Sequence, residues 1–125
     1  MPTLDFWYEF ASTYSYPAAM RVARVAEAAG VSVRFRPWRL GPRFGAQGWN
    51  DSPFNIYPAK GRYMWRDLAR ICEAENLTLR LPPSRFPENG LKAGRIALFG
   101  GKDGCIGGFT LAVYAGNFAE RRGIS

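Results

Sequence analysis

The sequence predicts an α/β fold in which a parallel βαβ unit is followed by a mainly helical region. Residues 4–10 and residues 31–38 each alternate apolar and polar side chains, which is the pattern of a half-buried strand. Between them, residues 16–29 carry apolar side chains at helical spacing, and Gly30 is a typical helix stop. Because strand, helix and strand follow one another with short connections, both strands should lie parallel in one sheet.

The first strand is predicted to be covered on both of its faces. One face carries large apolar side chains only, at Leu4, Phe6, Tyr8 and Phe10. Trp7 makes the other face partly apolar, as in strands that have packing partners on each side.

The chain between the first strand and the first helix carries consecutive hydroxyl side chains over residues 12–15. Ser15 is expected to cap the helix, and Pro17 suits its first turn because that position needs no N–H. With several backbone N–H groups free to donate, the positive end of the helix dipole would stabilise a thiolate or a carboxylate there. We therefore predict that Ser12 binds or activates an anion, the alternative being an ordinary turn or capping serine.

The region after the second strand is predicted to be mainly helical. Residues 39–58 form a long connection rich in Gly, Pro, Asn and aromatic residues, and long ordered loops are usually functional. A helix is predicted over residues 59–76, with a buried stripe at Met64, Leu68, Ile71 and Cys72. The remainder is predicted as an irregular stretch at 81–89, a helix at 91–99, a flexible turn at 100–108 and a helix at 109–120. These elements do not complete a sheet, so the sequence predicts the first half of an α/β fold with a helical insertion.

Length and charge narrow the class of protein. The chain has 125 residues, enough for one domain. The net charge of +7 is scattered along the chain, which favours a solvated basic surface first, attraction of a small anionic substrate second and nucleic-acid binding last. Without a bilayer-length apolar run or a secretory signal, we expect a cytoplasmic protein that binds neither membrane nor nucleic acid.

The residue types that are absent exclude several catalytic schemes. The chain has no His, which excludes a Ser-His-Asp triad, a Cys-His pair and an imidazole metal site, so no metal is expected. Cys72 and Cys105 are far apart, so the first helix carries no Cys-x-x-Cys redox centre. Cys72 is predicted to lie in the core and Cys105 in an exposed glycine-rich turn.

Lys60 and Asn50 are further candidates for binding an anionic ligand. Lys60 falls in the first turn of its predicted helix, where the dipole disfavours a cation by about 0.3–1 kcal/mol unless it faces an anion. Asn50 lies in the aromatic loop and could donate an amide hydrogen bond to the same ligand. The alternatives are a surface lysine and a turn-forming asparagine.

Taken together, these segments resemble the 2-hydroxychromene-2-carboxylate isomerases, relatives of the kappa-class glutathione transferases. The resemblance includes the Asp-Phe-Trp-Tyr-Glu-Phe-Ala-Ser run and the Pro-Ala-Lys-Gly segment, and it covers nearly the whole chain through residues 5–16, 36–38, 48–55, 58–68, 86–89 and 113–120. Thr13 departs from the pattern, since many relatives carry proline there. The resemblance implies a DsbA-like thioredoxin fold with a helical insertion and without the cysteine pair.

The resemblance also implies roles for particular residues. Ser12 would be the catalytic residue that holds the glutathione thiolate, and Tyr14, Asn50 and Lys60 would contact glutathione or substrate. The implied organisation is residues 1–40 as the N-terminal βαβ part of a thioredoxin-like domain, 41–58 as the active-site loop and 59–125 as the helical insertion of an incomplete single domain.

The implied function is the glutathione-dependent isomerisation of 2-hydroxychromene-2-carboxylate, as in the catabolism of naphthalene and other aromatic compounds. Glutathione would be the cofactor, a small anionic aromatic compound the substrate, and a second copy of the chain the expected protein partner. The alternatives are a kappa-like glutathione transferase and an inactive truncated remnant or partner-binding module. Relatives continue past the end of this chain, so we expect the C-terminal strands of the fold to be missing.

Overall fold

The computed structural model of the chain describes residues 1–48, 51–81, 85–101 and 104–124. Its elements follow the predicted order, with short helices added between the second strand and the long helix. In chain order they are β1 (Thr3–Tyr8), α1 (Ser15–Ala28), β2 (Ser32–Pro37), α2 (Gly41–Ala46), α3 (Pro53–Ile56), α4 (Pro58–Ala74), α5 (Leu91–Gly100) and α6 (Ile106–Tyr114), with a π-helical turn (Ala115–Ala119) continuing α6.

The predicted βαβ unit is present. β1 pairs in parallel with β2, and the register places Phe6 opposite Phe35. Gly30 ends α1 with a φ of +68°, a conformation that glycine adopts without steric cost. The chain can then turn directly into β2, because the N–H of Val31 donates to the carbonyl of Ala26 at 2.8 Å.

The core lies on one face of this sheet, between the strands and helices α1, α4 and α6. Tyr8, Tyr16 and Tyr114 are fully buried there, and their rings stack or tilt against one another and against Phe118. The predicted stripe of α4 is confirmed, since Met64, Leu68 and Cys72 are fully buried and Ile71 is partly buried. Burial of these apolar groups stabilises the helical region against the sheet.

The opposite face of the sheet is polar and exposed, so the prediction that both faces of β1 are covered is wrong for the described residues. Trp7 is 59% exposed, and the guanidinium of Arg36 lies 5.5 Å from the centre of its ring. Beside it, Asp5 accepts hydrogen bonds from Nε of Arg34 at 2.6 Å and Nε of Arg36 at 3.0 Å. These charged groups suit a face that meets solvent.

The long connection at 41–58, predicted as a loop, contains α2 and α3. Ser52 caps α3, because its hydroxyl oxygen accepts the N–H of Phe54 at 3.3 Å and Pro53 begins the helix. The glycine-rich stretch at 100–108, predicted as a flexible turn, already contains the first residues of α6. The sequence pattern missed α2 and α3 because helices this short have few residues in which to show periodicity.

The predicted cap of α1 is also wrong. Ser15 is the first residue of the helix, Tyr14 occupies the capping position, and no side chain caps the end. None of the described helices combines the length and apolar character that crossing a bilayer requires.

Candidate functional site

A cavity of about 690 Å³ opens beside the turn that joins β1 to α1. Small-molecule sites commonly have volumes of roughly 300–1,000 Å³, so this cavity is large enough for a metabolite. Its wall is formed by the β1–α1 turn, by helices α2 and α3 with the segment that precedes α2, by the start of α4 and by the segment before α5. The lining residues are Glu9, Ala11, Ser12, Thr13, Tyr14, Arg39, Leu40, Gly41, Phe44, Gly45, Asp51, Ser52, Pro53, Phe54, Lys60, Pro87, Glu88 and Gly90.

Ser12 lies in the wall of this cavity, at the strand-to-helix turn where the sequence predicts it. Its backbone N–H donates to the carbonyl of Glu9 at 3.0 Å, which closes a tight turn after β1. Ser12 is half-buried, and its hydroxyl forms no hydrogen bond within the described ranges. Because Ser12 lines the cavity, the hydrogen-bonding capacity of its hydroxyl is available to a ligand.

Some of the backbone N–H groups at and beside this turn donate within the protein itself. Besides the N–H of Ser12, that of Ala11 donates to Oε1 of Glu9 at 3.3 Å and that of Tyr16 to the carbonyl of Thr13 at 3.2 Å. Ser15 does not line the cavity, whereas the other three hydroxyl residues of 12–15 do. The N–H of Ser12 is therefore not available to a ligand.

Glu9 is a cavity residue that the sequence reasoning missed. Its side chain is only 9% exposed, and Oε2 accepts the N–H of Leu40 at 2.9 Å. Its carbonyl accepts the hydroxyl of Tyr114 at 2.8 Å, so Glu9 connects the turn, the segment after β2 and α6. The only signal in the sequence is an acidic residue at the end of an apolar strand.

Gly90 leaves room for the carboxylate of Glu9 in this arrangement. A β-carbon at position 90 would lie 2.7 Å from Oε1 of Glu9, closer than real contacts allow. A side chain there would push the carboxylate away from the backbone N–H groups that stabilise its charge.

Within the described ranges, the acidic and thiol side chains form no group of three or more that could hold a metal ion.

Tyr14 lines the cavity with its ring while its hydroxyl is bound elsewhere. The hydroxyl donates to Oδ2 of Asp67 at 2.8 Å, and the ring meets the edge of Phe54 at 6.4 Å between centroids. Burial and the adjacent Asp67 carboxylate raise the pKa of Tyr14 to about 12, so the group stays protonated at neutral pH. Any contact of Tyr14 with a ligand would involve its ring.

Because the ring and the hydroxyl of Tyr14 have different contacts, we expect two replacements of this residue to have different effects. Tyr14→Phe should leave the affinity for a cavity ligand unchanged within about twofold, since the lost hydrogen bond is an exposed one. Tyr14→Ala should weaken ligand binding by roughly tenfold, because the aromatic wall of the cavity is lost. Calorimetric titration of both variants measures this, and equal losses in both would show that the hydroxyl contacts the ligand.

Lys60 lies in the first turn of α4 and lines the same cavity, as its candidate role requires. Its Nζ is 5.7 Å from the centre of the Phe54 ring, and the side chain forms no ion pair within the described part of the chain. Asn50 lies outside the described residues. The structure thus brings Ser12, Tyr14 and Lys60 to one cavity, and their roles in binding remain predictions.

Gly45 of α2 leaves part of the cavity wall without a side chain. No atom lies within 4 Å of the place where its β-carbon would be, and its φ is not positive. Gly45→Ala should therefore raise the free energy of unfolding by about 0.4–1 kcal/mol, through a smaller loss of backbone entropy on folding. Urea unfolding measures the change, and a lower midpoint for the variant would contradict the open space at this position.

The cysteines are remote from this cavity. Cys72 is buried in α4, and burial raises the pKa of its thiol. Cys105 is exposed at the start of α6. Both placements agree with the sequence, and neither thiol lies at the start of α1, where a dithiol centre would need it.

Comparisons with known proteins agree with this architecture. Residues 3–125 match the family model of the DSBA-like thioredoxin domain. The solved structure of a 2-hydroxychromene-2-carboxylate isomerase superposes with a TM-score of 0.81 at 23% identity, over 98% of this chain and 59% of that one. A probable DsbA oxidoreductase from Streptomyces coelicolor superposes with a TM-score of 0.72 at 19% identity, over 99% of this chain and 57% of that one. No curated protein matches the chain significantly.

These likenesses confirm the predicted DsbA-like thioredoxin fold. At 23% and 19% identity they bear on the fold and not on the activity. The chain spans less than two thirds of the length of both neighbours, 59% and 57%.

Proposed function

The chain belongs to the DSBA-like thioredoxin domain family, and on that premise we propose that it is a glutathione-dependent isomerase of 2-hydroxychromene-2-carboxylate. The observation that carries the proposal is that Ser12 lines the cavity and that its hydroxyl has no hydrogen-bond partner within the described residues. A hydroxyl placed beside a helix N-terminus is suited to donate to a thiolate. The name of one structural neighbour, the isomerase, supports the choice of substrate.

The cavity has the polar groups that glutathione would need. Glutathione carries a thiol, two carboxylates and an ammonium group, so its binding calls for charges of both signs. Lys60 and Arg39 supply positive groups, while Glu9 and Asp51 supply negative ones in the same wall. The backbone N–H groups of Ala11 and Leu40 stabilise the charge of Glu9, which limits its repulsion of a thiolate at Ser12.

Glutathione, when bound, supplies a thiolate that can add to the conjugated ring system and leave again after bond rotation. The chain's part is to hold that sulfur at Ser12 and keep it ionised. The hydroxyl would donate to the sulfur, lowering the pKa of the thiol. Lys60 would hold a carboxylate near the entrance, and the rings of Tyr14 and Phe54 would cover an aromatic substrate.

Dithiol redox chemistry, suggested by the name of the Streptomyces neighbour, is not favoured by this chain. At the start of α1, Ser12 and Ser15 stand where a Cys-x-x-Cys pair would be needed. Cys72 is buried in the core, and the cavity lining within the described residues contains no cysteine. A serine hydroxyl binds a sulfur of the ligand but cannot form a disulfide with it.

The proposal is tested with the purified chain, 2-hydroxychromene-2-carboxylate and glutathione, following the change in substrate absorbance. We expect turnover that requires glutathione and stops when S-methylglutathione, which has no free thiol, replaces it. We also expect glutathione to raise the thermal unfolding temperature, because a ligand that binds the folded state stabilises it. Absence of turnover together with absence of any thermal shift would refute the proposal.

A further inference from the structure

Arg39 is a cavity cation that no sequence motif singles out. Its side chain is half-buried and forms no ion pair within the described part of the chain. Other arginines of the molecule do form such pairs, with Asp5 for Arg34 and Arg36 on the open sheet face. A partly buried guanidinium loses hydration, and a carboxylate partner restores the lost interactions.

The surroundings of Arg39 suit a planar anion attached to an apolar group. The neighbouring N–H of Leu40 is fixed to Glu9 at 2.9 Å, so the backbone at this point is held in place. Nη2 of Arg39 lies 3.8 Å from where a β-carbon of Gly41 would be, and the glycine leaves that flank of the guanidinium open. The side chains of Leu40, Pro53 and Phe54 provide apolar wall in the same cavity.

From this arrangement we propose that Arg39 is the carboxylate-binding residue of the cavity, pairing through its planar fork with a carboxylate of the ligand. The inference rests on the proposed function, because it assigns a partner to the acid group of that ligand. The carboxylate can belong to the aromatic substrate or to glutathione, and the chemistry at Arg39 is the same. Arg39 is thereby a specificity-determining residue, since a neutral analogue would leave its charge unpaired.

Lys60 and Arg39 differ in ways that separate their roles. Lys60 is exposed, and its Nζ lies near the Phe54 ring at 5.7 Å. Its ammonium is a compact, strongly hydrated charge, which attracts anions without selecting their shape. The guanidinium of Arg39 is half-buried and planar, and it matches both oxygens of a carboxylate at once.

The test compares binding of 2-naphthoate with binding of its neutral analogue, 2-naphthamide, by calorimetric titration. We expect the unaltered chain to prefer the carboxylate and Arg39→Met to weaken naphthoate binding by roughly tenfold or more, as loss of a hydrogen bond to a charged group does. Naphthamide affinity should not change. Arg39→Lys should keep part of the preference, because it keeps the charge and loses the fork.

Arg43→Met is the matched control, since Arg43 is an exposed arginine of α2 that does not line the cavity. It should bind naphthoate as the unaltered chain does. A parallel titration with glutathione identifies the source of the carboxylate: a loss in Arg39→Met for glutathione alone assigns the ion pair to glutathione, and a loss for naphthoate assigns it to the aromatic acid.

Equal affinities of the unaltered chain and Arg39→Met for both naphthoate and glutathione would overturn the inference, whatever the catalytic assay shows. Because the titrations need no turnover, they decide the role of Arg39 even in a chain that proves to have no isomerase activity. Conversely, glutathione-dependent turnover in Arg39→Met with unchanged KM values for both the acid substrate and glutathione would refute the inference and leave the proposed function standing.

Discussion

Ser12→Ala is expected to lower the glutathione-dependent kcat/KM by roughly 10- to 100-fold, because a hydrogen bond to a charged group contributes about 1.5–3 kcal/mol. The structure makes this loss specific to the ligand, since the Ser12 hydroxyl has no other partner in the described part of the chain. The pKa of the bound thiol should rise by about 1–2 units in the variant, moving the pH profile of turnover to higher pH. Kinetics across a pH series measure both effects.

Ser15→Ala is the matched control, because it removes a hydroxyl from the same turn at a position that does not line the cavity. It should leave the rate and the pH profile unchanged. An unchanged rate and an unchanged pH profile in Ser12→Ala would show that Ser12 is an ordinary turn residue. An equal loss in both variants would point to damage to the turn rather than to a role for Ser12 in binding the thiolate.

Gly61→Ala is expected to lower the free energy of unfolding by roughly 1–3 kcal/mol, the usual cost of inserting an atom into a packed region. Gly61 is buried in the first turns of α4, where a β-carbon would collide with the carbonyl oxygen of Phe54 and lie 3.3 Å from the carbonyl carbon. Both atoms belong to the backbone of α3, so no side-chain rotation can relieve the contact. The junction of α3 and α4 must move, and Phe54 and Lys60 in the cavity wall must move with it.

Urea unfolding of Gly61→Ala beside Gly45→Ala measures the effect, since both replace a helical glycine and differ in the space around the new methyl group. We expect opposite signs, with a lower midpoint for the first variant and a higher one for the second. Glutathione affinity should fall in Gly61→Ala as well, because the displaced corner carries Lys60. An unchanged midpoint for Gly61→Ala would mean that α3 is free to move away at no energetic cost.

Local sequence patterns were sufficient to predict most of the fold. The alternation of residues 4–10, the spacing of residues 16–29 and Gly30 were sufficient to predict β1, α1 and their parallel connection to β2. The periodic spacing of apolar residues along α4 likewise predicted which of its side chains are buried. In each case the signal lies within a few consecutive residues, because the periods of helices and strands are short.

The candidate site was predictable only in part, for a reason of the same kind. Ser12 and Lys60 stand at helix starts, and a helix start can be recognised from its own neighbours. Glu9 and Arg39 carry no such local mark, since their significance comes from a cavity wall assembled from distant segments. The exposure of Trp7 was mispredicted because its apolar ring is compatible with a covered face and with a cation–π contact to Arg36.

The sequence by itself determined both strands and the longer helices, that the first βαβ unit is parallel, and that neither imidazole nor dithiol chemistry is available at the first helix. Only the tertiary structure decided that Ser12, Tyr14, Arg39 and Lys60 line one cavity, and that a β-carbon at Gly61 or Gly90 would collide with a neighbouring atom. The physical reason is the separation along the chain of the residues that interact. Secondary structure follows from interactions between near neighbours in the chain, whereas a cavity depends on contacts between residues dozens of positions apart, such as Glu9 with Leu40 and with Tyr114.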